Sequence, residues 1–137
     1  VTKKAIDRLH QKIMIAKDEV IKTESLLLDD AEYAVVAFGG TARTAYQAVL
    51  DARKKGVKIG MLRLRTIWPF AADAVYEVAQ KVKGILVPEL NYGQLVGEIE
   101  RAAKGACPVE LLAKYNAEIF TPAEIEEAIM AMVGGNK

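Results

Sequence analysis

Apolar residues at Ile6, Leu9, Ile13, Ala16 and Val20 recur every three or four positions between Lys4 and about Ile21, with charged residues around them, which predicts an amphipathic helix at the start of the chain. The pattern then changes. Leu26, Leu27 and Leu28 form a short apolar run that reads as an edge strand, and Tyr33 to Phe38 is continuously apolar, the mark of a strand covered on both faces. Gly39 and Gly40 break that strand, and Thr41 stands where a helix N-cap belongs; the helix runs to Lys55, with Gly56 behind it. Val57 to Leu64 is a further strand, followed by a turn at Arg65 to Phe70 and a helix from Ala71 to Lys83, stopped at Gly84. Ile85 to Val87 is the next strand, ending at Pro88 and Glu89. Asn91 and Gln94 then have the N-cap and N3 spacing of a capping box for a helix from Tyr92 to Lys104, before Gly105. Pro108 to Leu112 reads as a strand with its proline at the first position, where a missing N–H costs least. The strongest helix start follows, with Thr121 as N-cap, Pro122 at N1 and Glu124 at N3, and Ile125, Ile129 and Met132 share one face of that helix as far as Gly134.

Strands that alternate with helices of about three turns require right-handed crossovers, hence a mainly parallel sheet with helices on both faces. At 137 residues the chain suits one such domain, and 52% hydrophobic with 27% charged residues is a globular composition. Nineteen basic side chains against eighteen acidic ones give a net charge of +1, no electrostatic basis for binding nucleic acid or an anionic membrane. Cys107 and His10 are the sole cysteine and histidine, which rules out a zinc ligand set, a disulfide framework or a Cys-His pair within the chain and fits a reducing cytoplasm. Cys107, just before a strand, reads as a small buried residue. No apolar run approaches the ~20 residues of a membrane span. The start at Val1 rather than Met, with a polar opening, suggests a piece of a longer chain.

In a parallel sheet function gathers at the carboxyl ends of the strands. Four loops fall there, beginning at Gly39, Arg65, Glu89 and Lys114. Gly39, Gly40, Thr41 and Arg43 form a candidate anion site at a helix N-terminus. The loop lacks the Gly-Lys-Ser/Thr of a P-loop and the third glycine of a dinucleotide fingerprint, and a tight turn explains its glycines without a ligand. Arg43 and Arg65 suit a partner carboxylate or an anion, and equally an internal ion pair. Trp68, Pro69 and Phe70 make an aromatic cluster that suits an interface anchor. Glu89 is placed as a base would be, but no histidine, nucleophile or second acid stands near it in sequence. The residues alone therefore lead to a parallel α/β domain with an interaction edge.

Three stretches carry a resemblance: DDAEYAVVAFGGTAR at Asp29 to Arg43, RLRTIWPF at Arg63 to Phe70, and VPELNYGQL at Val87 to Leu95. In order and spacing they resemble the C-terminal region of 2-oxoacid:ferredoxin oxidoreductase α subunits, over nearly all the chain after about Leu9. Gly40 departs from the family's usual serine, and Leu64 and Ala71 from its prolines. The resemblance implies a transketolase C-terminal-like α/β/α sandwich, a mainly parallel sheet of about five strands with one antiparallel edge strand supplied by Leu26 to Leu28. It implies a helix over residues 1–22 leading from a preceding domain, and the α/β domain over 23–137. The family's holoenzyme oxidatively decarboxylates a 2-oxoacid with coenzyme A to acyl-CoA, carbon dioxide and reduced ferredoxin, using thiamine pyrophosphate, Mg and iron-sulfur clusters. Neither the thiamine motif nor cluster cysteines occur here, so the domain is expected to hold no catalytic residue, cofactor or metal. Its expected role is assembly with the remainder of the α subunit and the thiamine-binding β subunit, with ferredoxin reached through the holoenzyme. The expected interface residues are Arg43, Arg65, Trp68, Phe70, Glu89, Asn91 and Gln94. Among 2-oxoacids, 2-oxoglutarate is preferred over pyruvate and branched-chain acids. Two alternatives stay open: a free-standing anion- or nucleotide-binding module, and the equivalent domain of a thiamine-dependent dehydrogenase or transketolase, against which the Pro88-Glu89-x-Asn91-x-Gly93-Gln94 stretch speaks.

Overall fold

The strand β2 (Tyr33–Phe38) sits at the centre of the sheet, and its sequence explains why. Its first five residues are buried and alternate between two apolar clusters, Ala34 and Val36 facing one, Tyr33, Val35 and Ala37 the other. A strand with no polar side chain has no face to give to water, so both faces must be covered. The computed structural model describes residues 22–67, 69–90, 94–114 and 119–135. The helix expected over Lys4 to Ile21 lies outside the described residues, as do Trp68 and Asn91.

Among the described residues the sheet has five strands in the order β1-β3-β2-β4-β5, the others being β1 (Thr23–Leu26), β3 (Ile59–Leu64), β4 (Ile85–Glu89) and β5 (Val109–Ala113). β1 is antiparallel to β3, with Thr23 opposite Leu64 and Leu26 opposite Met61, and the remaining pairs are parallel. Helices α1 (Gly40–Lys54) and α4 (Pro122–Gly135) cover one face, α2 (Ala72–Lys81) and α3 (Gln94–Ala103) the other. Ala42, Ala45, Ala48 and Ala52 make the buried face of α1, and their small side chains let that helix lie close on the sheet. Cys107 is buried beside α3, where desolvation pushes its thiol pKa up, away from reactivity.

Three local expectations are corrected. The edge strand ends at Leu26 instead of spanning the leucine run; Leu27 turns the chain with φ 58°, and Leu28 packs back on the core. That turn lies against Gly60, where an added Cβ would meet the carbonyl carbon of Leu27 at 2.7 Å and Cδ2 of Leu28 at 2.8 Å. Thr41 lies inside the first turn of α1, because Gly39 takes the N-cap position with φ 66° and ψ −144°, a region essentially reserved for glycine. The capping box expected from Asn91 to Gln94 starts outside the described residues, and α3 is described from Gln94 on. Pro108 precedes β5, and its carbonyl accepts the Ile85 N–H at 3.0 Å. The capping box at Thr121 forms as expected: Glu124 N–H donates to Thr121 Oγ1 at 3.2 Å, and Thr121 N–H donates to Glu124 Oε1 at 2.9 Å.

Candidate functional site

The neighbouring strands β2 and β4 send their following helices to opposite faces of the sheet, α1 to one and α3 to the other. Their carboxyl ends therefore splay apart and leave a crevice, the place where open parallel sheets bind their ligands and partners. A groove of about 350 Å³ occupies it, lined by Phe38 and Thr41 from the first unit, Pro88, Glu89, Leu90, Leu95 and Glu98 from the second, and Ile67 from the loop after β3. Phe38, Ile67 and Leu90 are each 40% exposed, so three large apolar side chains meet solvent around one depression.

One wall of the groove is built on Glu89, the last residue of β4 and the one buried charged side chain among the described residues, at 7% exposure. Its Oε1 accepts the Leu95 N–H at 2.6 Å and its Oε2 accepts the Val96 N–H at 3.0 Å. These are the second and third residues of α3, the donors that a helix leaves unpaired and that a capping side chain ordinarily serves. A carboxylate there also faces the positive end of the helix dipole. The Glu89 carbonyl accepts the Lys114 N–H at 3.0 Å, so the residue is tied to the sheet by its backbone and to α3 by its side chain. The burial of a charge is tolerated because both oxygens meet N–H donors.

The other loops are held differently. Ala42 N–H donates to the Gly39 carbonyl at 3.0 Å, which closes the turn into α1, and Arg43 projects exposed from its first turn. Arg65 lies 3.5 Å from Glu24 of β1, whose carboxylate also faces Arg63 at 3.8 Å. Phe70 is half-buried against the cluster of α2 and α3. After β5, Lys114 Nζ donates to both oxygens of Glu124 at 2.7 Å and to the Ile119 carbonyl at 3.1 Å, tying the end of β5 to the start of α4. Hydrogen bonds from Lys114 and from the Thr121 N–H hold the Glu124 carboxyl below its ordinary pKa.

Residues 31–125 match the family model described as pyruvate:ferredoxin oxidoreductase core domain II. The chain belongs to that family. This core domain II is 37% identical over 129 residues, 94% of the chain, to 2-oxoglutarate synthase subunit KorA of Methanothermobacter marburgensis. It is 40% identical over 127 residues, 93% of the chain, to the subunit of the same name in Methanocaldococcus jannaschii. To ketoisovalerate oxidoreductase subunit VorB of Methanothermobacter thermautotrophicus it is 32% identical over 126 residues, 92% of the chain. The chain spans 34%, 34% and 36% of these relatives' own lengths. Among solved structures it superposes on 2-oxoglutarate:ferredoxin oxidoreductase from Magnetococcus marinus with 2-oxoglutarate, coenzyme A and succinyl-CoA bound, with a TM-score of 0.77, 17% identity, and coverage of 96% of this chain and 24% of that one. A split gene transketolase, an inactive beta4 tetramer, follows at a TM-score of 0.71 and 14% identity, over 85% of this chain and 42% of that one. At such identities the superpositions speak for the fold, and the α/β/α sandwich with one antiparallel edge strand is the architecture found.

The core domain II brings Thr41 and Glu89 to one groove, leaves Arg43 exposed on the first turn of α1 and engages Arg65 with β1. Glu89, placed in the sequence as a base would be and expected at the interface, is 7% exposed, and both its oxygens are engaged. Sequence reasoning missed it as a cap because it precedes its donors by six and seven positions, outside any local capping motif. Phe38, Ile67 and Leu90 were missed as a set because only the strand order brings them together.

Among the described residues no three His, Cys, Asp or Glu side chains are grouped to hold a metal ion. The chain's one cysteine cannot supply the four thiolates of a [4Fe-4S] cluster. Both oxygens of the buried Glu89 carboxylate accept helix N–H groups, and Glu98 is paired with Arg101. Most of the groove's described side chains suit apolar contact.

Proposed function

We propose that the chain is the non-catalytic assembly domain of the α subunit of a 2-oxoacid:ferredoxin oxidoreductase, working in a reducing cytoplasm. The observation that carries this reading is the 37–40% identity to 2-oxoglutarate synthase subunits over 93–94% of the chain, against a third of those subunits' length. A domain alike along its whole span to a third of a longer subunit fits a part that works together with the rest of that subunit. The holoenzyme would convert a 2-oxoacid and coenzyme A to acyl-CoA, carbon dioxide and reduced ferredoxin. Thiamine pyrophosphate with Mg and the iron-sulfur clusters would be held by other domains and subunits. The ranking of 2-oxoglutarate synthase subunits above ketoisovalerate oxidoreductase subunits supports 2-oxoglutarate as the substrate. The contact surface is assigned to the carboxyl edge, with Arg43, Arg65, Trp68, Phe70, Asn91 and Gln94 as its residues. The partners are the remainder of the α subunit and the thiamine-binding β subunit, with ferredoxin engaged by the complex. The sequence relatives weigh against a transketolase, whose likeness is one of fold, and against a free-standing anion module.

The test is co-purification of the full-length subunit with its partners, then 2-oxoacid- and CoA-dependent ferredoxin reduction by the complex with and without this domain. Activity with 2-oxoglutarate that is lost together with assembly on deletion is the expected result. A deleted complex that assembles and turns over normally overturns the assembly role.

A further inference from the structure

The groove lies next to the point where the polypeptide enters the sheet. Because β1 runs antiparallel to β3, Thr23 pairs with Leu64 at the carboxyl end, and the chain arrives at the functional edge instead of the opposite one. Lys22 is fixed there twice: its carbonyl accepts the Arg65 N–H at 2.9 Å, and its N–H donates to Thr66 Oγ1 at 3.0 Å. Thr66 is the neighbour of Ile67, which lines the groove. Whatever precedes Lys22 thus starts one or two residue lengths of about 3.8 Å from the groove's rim. Arrival at the amino edge would have set it a strand's length away, about 20 Å.

Two further facts bear on what meets this rim. The curated relatives are about three times as long as the chain, which covers 34% of them, so most of such a subunit lies outside this domain. Phe38, Ile67 and Leu90, each 40% exposed, gather round the groove with Pro88 and Leu95. Apolar side chains scattered singly over a surface need no partner, whereas a cluster in a concave crevice marks a contact site.

We propose that the groove between the carboxyl ends of β2 and β4 seats an apolar segment of the same subunit's polypeptide, from the part that precedes Lys22. The inference rests on the assembly role above and narrows it from any neighbour to one. The preceding polypeptide is tethered at the rim, so its local concentration at the groove exceeds that of any separate subunit.

The experiment uses the full-length subunit in its native complex, with a benzophenone side chain placed at Leu90, in a second variant at Phe38, and in a control at Met130, which is 38% exposed on α4. After irradiation and digestion, mass spectrometry identifies the cross-linked peptides, and mixing isotopically labelled with unlabelled subunits separates links within one polypeptide from links between two. Expected are links from Leu90 and Phe38 to peptides preceding Lys22 of the same polypeptide, at least tenfold above those from Met130. Links to another subunit or another copy, no peptide link at all, or an equal yield from Met130 overturn the inference. Ferredoxin reduction by the complexes with and without the domain reads the assembly role separately. An assembly-dependent, active enzyme whose Leu90 links to another subunit keeps that role and sinks the intramolecular docking.

Discussion

Helices α3 and α4 both begin at a glutamate carboxylate, and the two are built in opposite ways. In α4 the carboxylate belongs to the helix itself: Glu124 stands at the third position, bonds back to Thr121 and is braced by Lys114 at the surface. In α3 it comes from the preceding strand, and Glu89 reaches from the end of β4 to the N–H groups of Leu95 and Val96 with 7% of its surface exposed. The first arrangement closes a turn, whereas the second joins sheet to helix and forms a wall of the groove. Exposed donors freed by a mutation find water; buried ones do not, and this difference ranks the effects expected at the two helix starts.

The largest effect falls on Glu89. Glu89→Ala removes the acceptor of two hydrogen bonds to a charged group and strands both donors, an expected loss of about 3 kcal/mol in denaturant unfolding of the domain. Glu89→Gln keeps an acceptor of the same reach and should lose about half as much. A Glu89→Ala protein as stable as the parent would make the two helix starts equivalent and end the comparison.

Gly39→Ala comes next, with an expected cost of about 1–3 kcal/mol, because its φ of 66° and ψ of −144° strain any residue with a Cβ. No atom lies within 4 Å of a Cβ built at Gly39 or at Gly40, so the cost is one of backbone conformation alone. Gly40→Ala, inside the helix, should be neutral or stabilising by up to about 1 kcal/mol in the same unfolding measurement. Equal losses at both positions would point to packing instead.

Thr121→Ala removes a local cap and should cost about 1 kcal/mol by the same measurement. Amide hydrogen exchange should quicken over the first turn of α4 and leave α3 unchanged, whereas Glu89→Ala should do the reverse.

The smallest effect is a dependence on acid. The folded-state pKa of Glu124 lies below its unfolded value, so its contribution to stability is complete above the ordinary glutamate pKa of about 4.3 and is lost as the pH falls through the lower folded value. Unfolding measured from pH 6 down to pH 3 should therefore lose less stability in Glu124→Gln than in the parent. An unchanged pH profile would mean that Lys114 and Thr121 do not hold the carboxylate in solution.

Much of the fold was legible because it is written in short range. The continuous run from Tyr33 to Phe38 marked a strand covered on both faces, and the Thr121, Pro122 and Glu124 start was recognisable from three positions. The misread boundaries have a common cause. At Leu26 to Leu28 the apolar run carried no sign that the Leu27 carbonyl would turn against Gly60, a residue more than thirty positions away. At Glu89 the donors lie six and seven positions on, beyond the reach of any local capping motif, although the carboxylate holds the helix from the adjoining strand. Of the candidate site, the edge and its loops were legible, and the groove that Phe38, Ile67, Leu90 and Leu95 form together was not.

The sequence by itself determined where strands and helices alternate and which stretches cap locally, because periodicity and turn chemistry depend on residues within a turn or two of each other. Only the tertiary structure decided that β3 lies between β1 and β2, that β4 pairs with β2, and that Glu89 meets its donors in a buried site. The reason is physical: apolar burial is non-directional and rewards any partner that excludes water, so strand order and the neighbours of a buried carboxylate are settled by how all the layers pack at once.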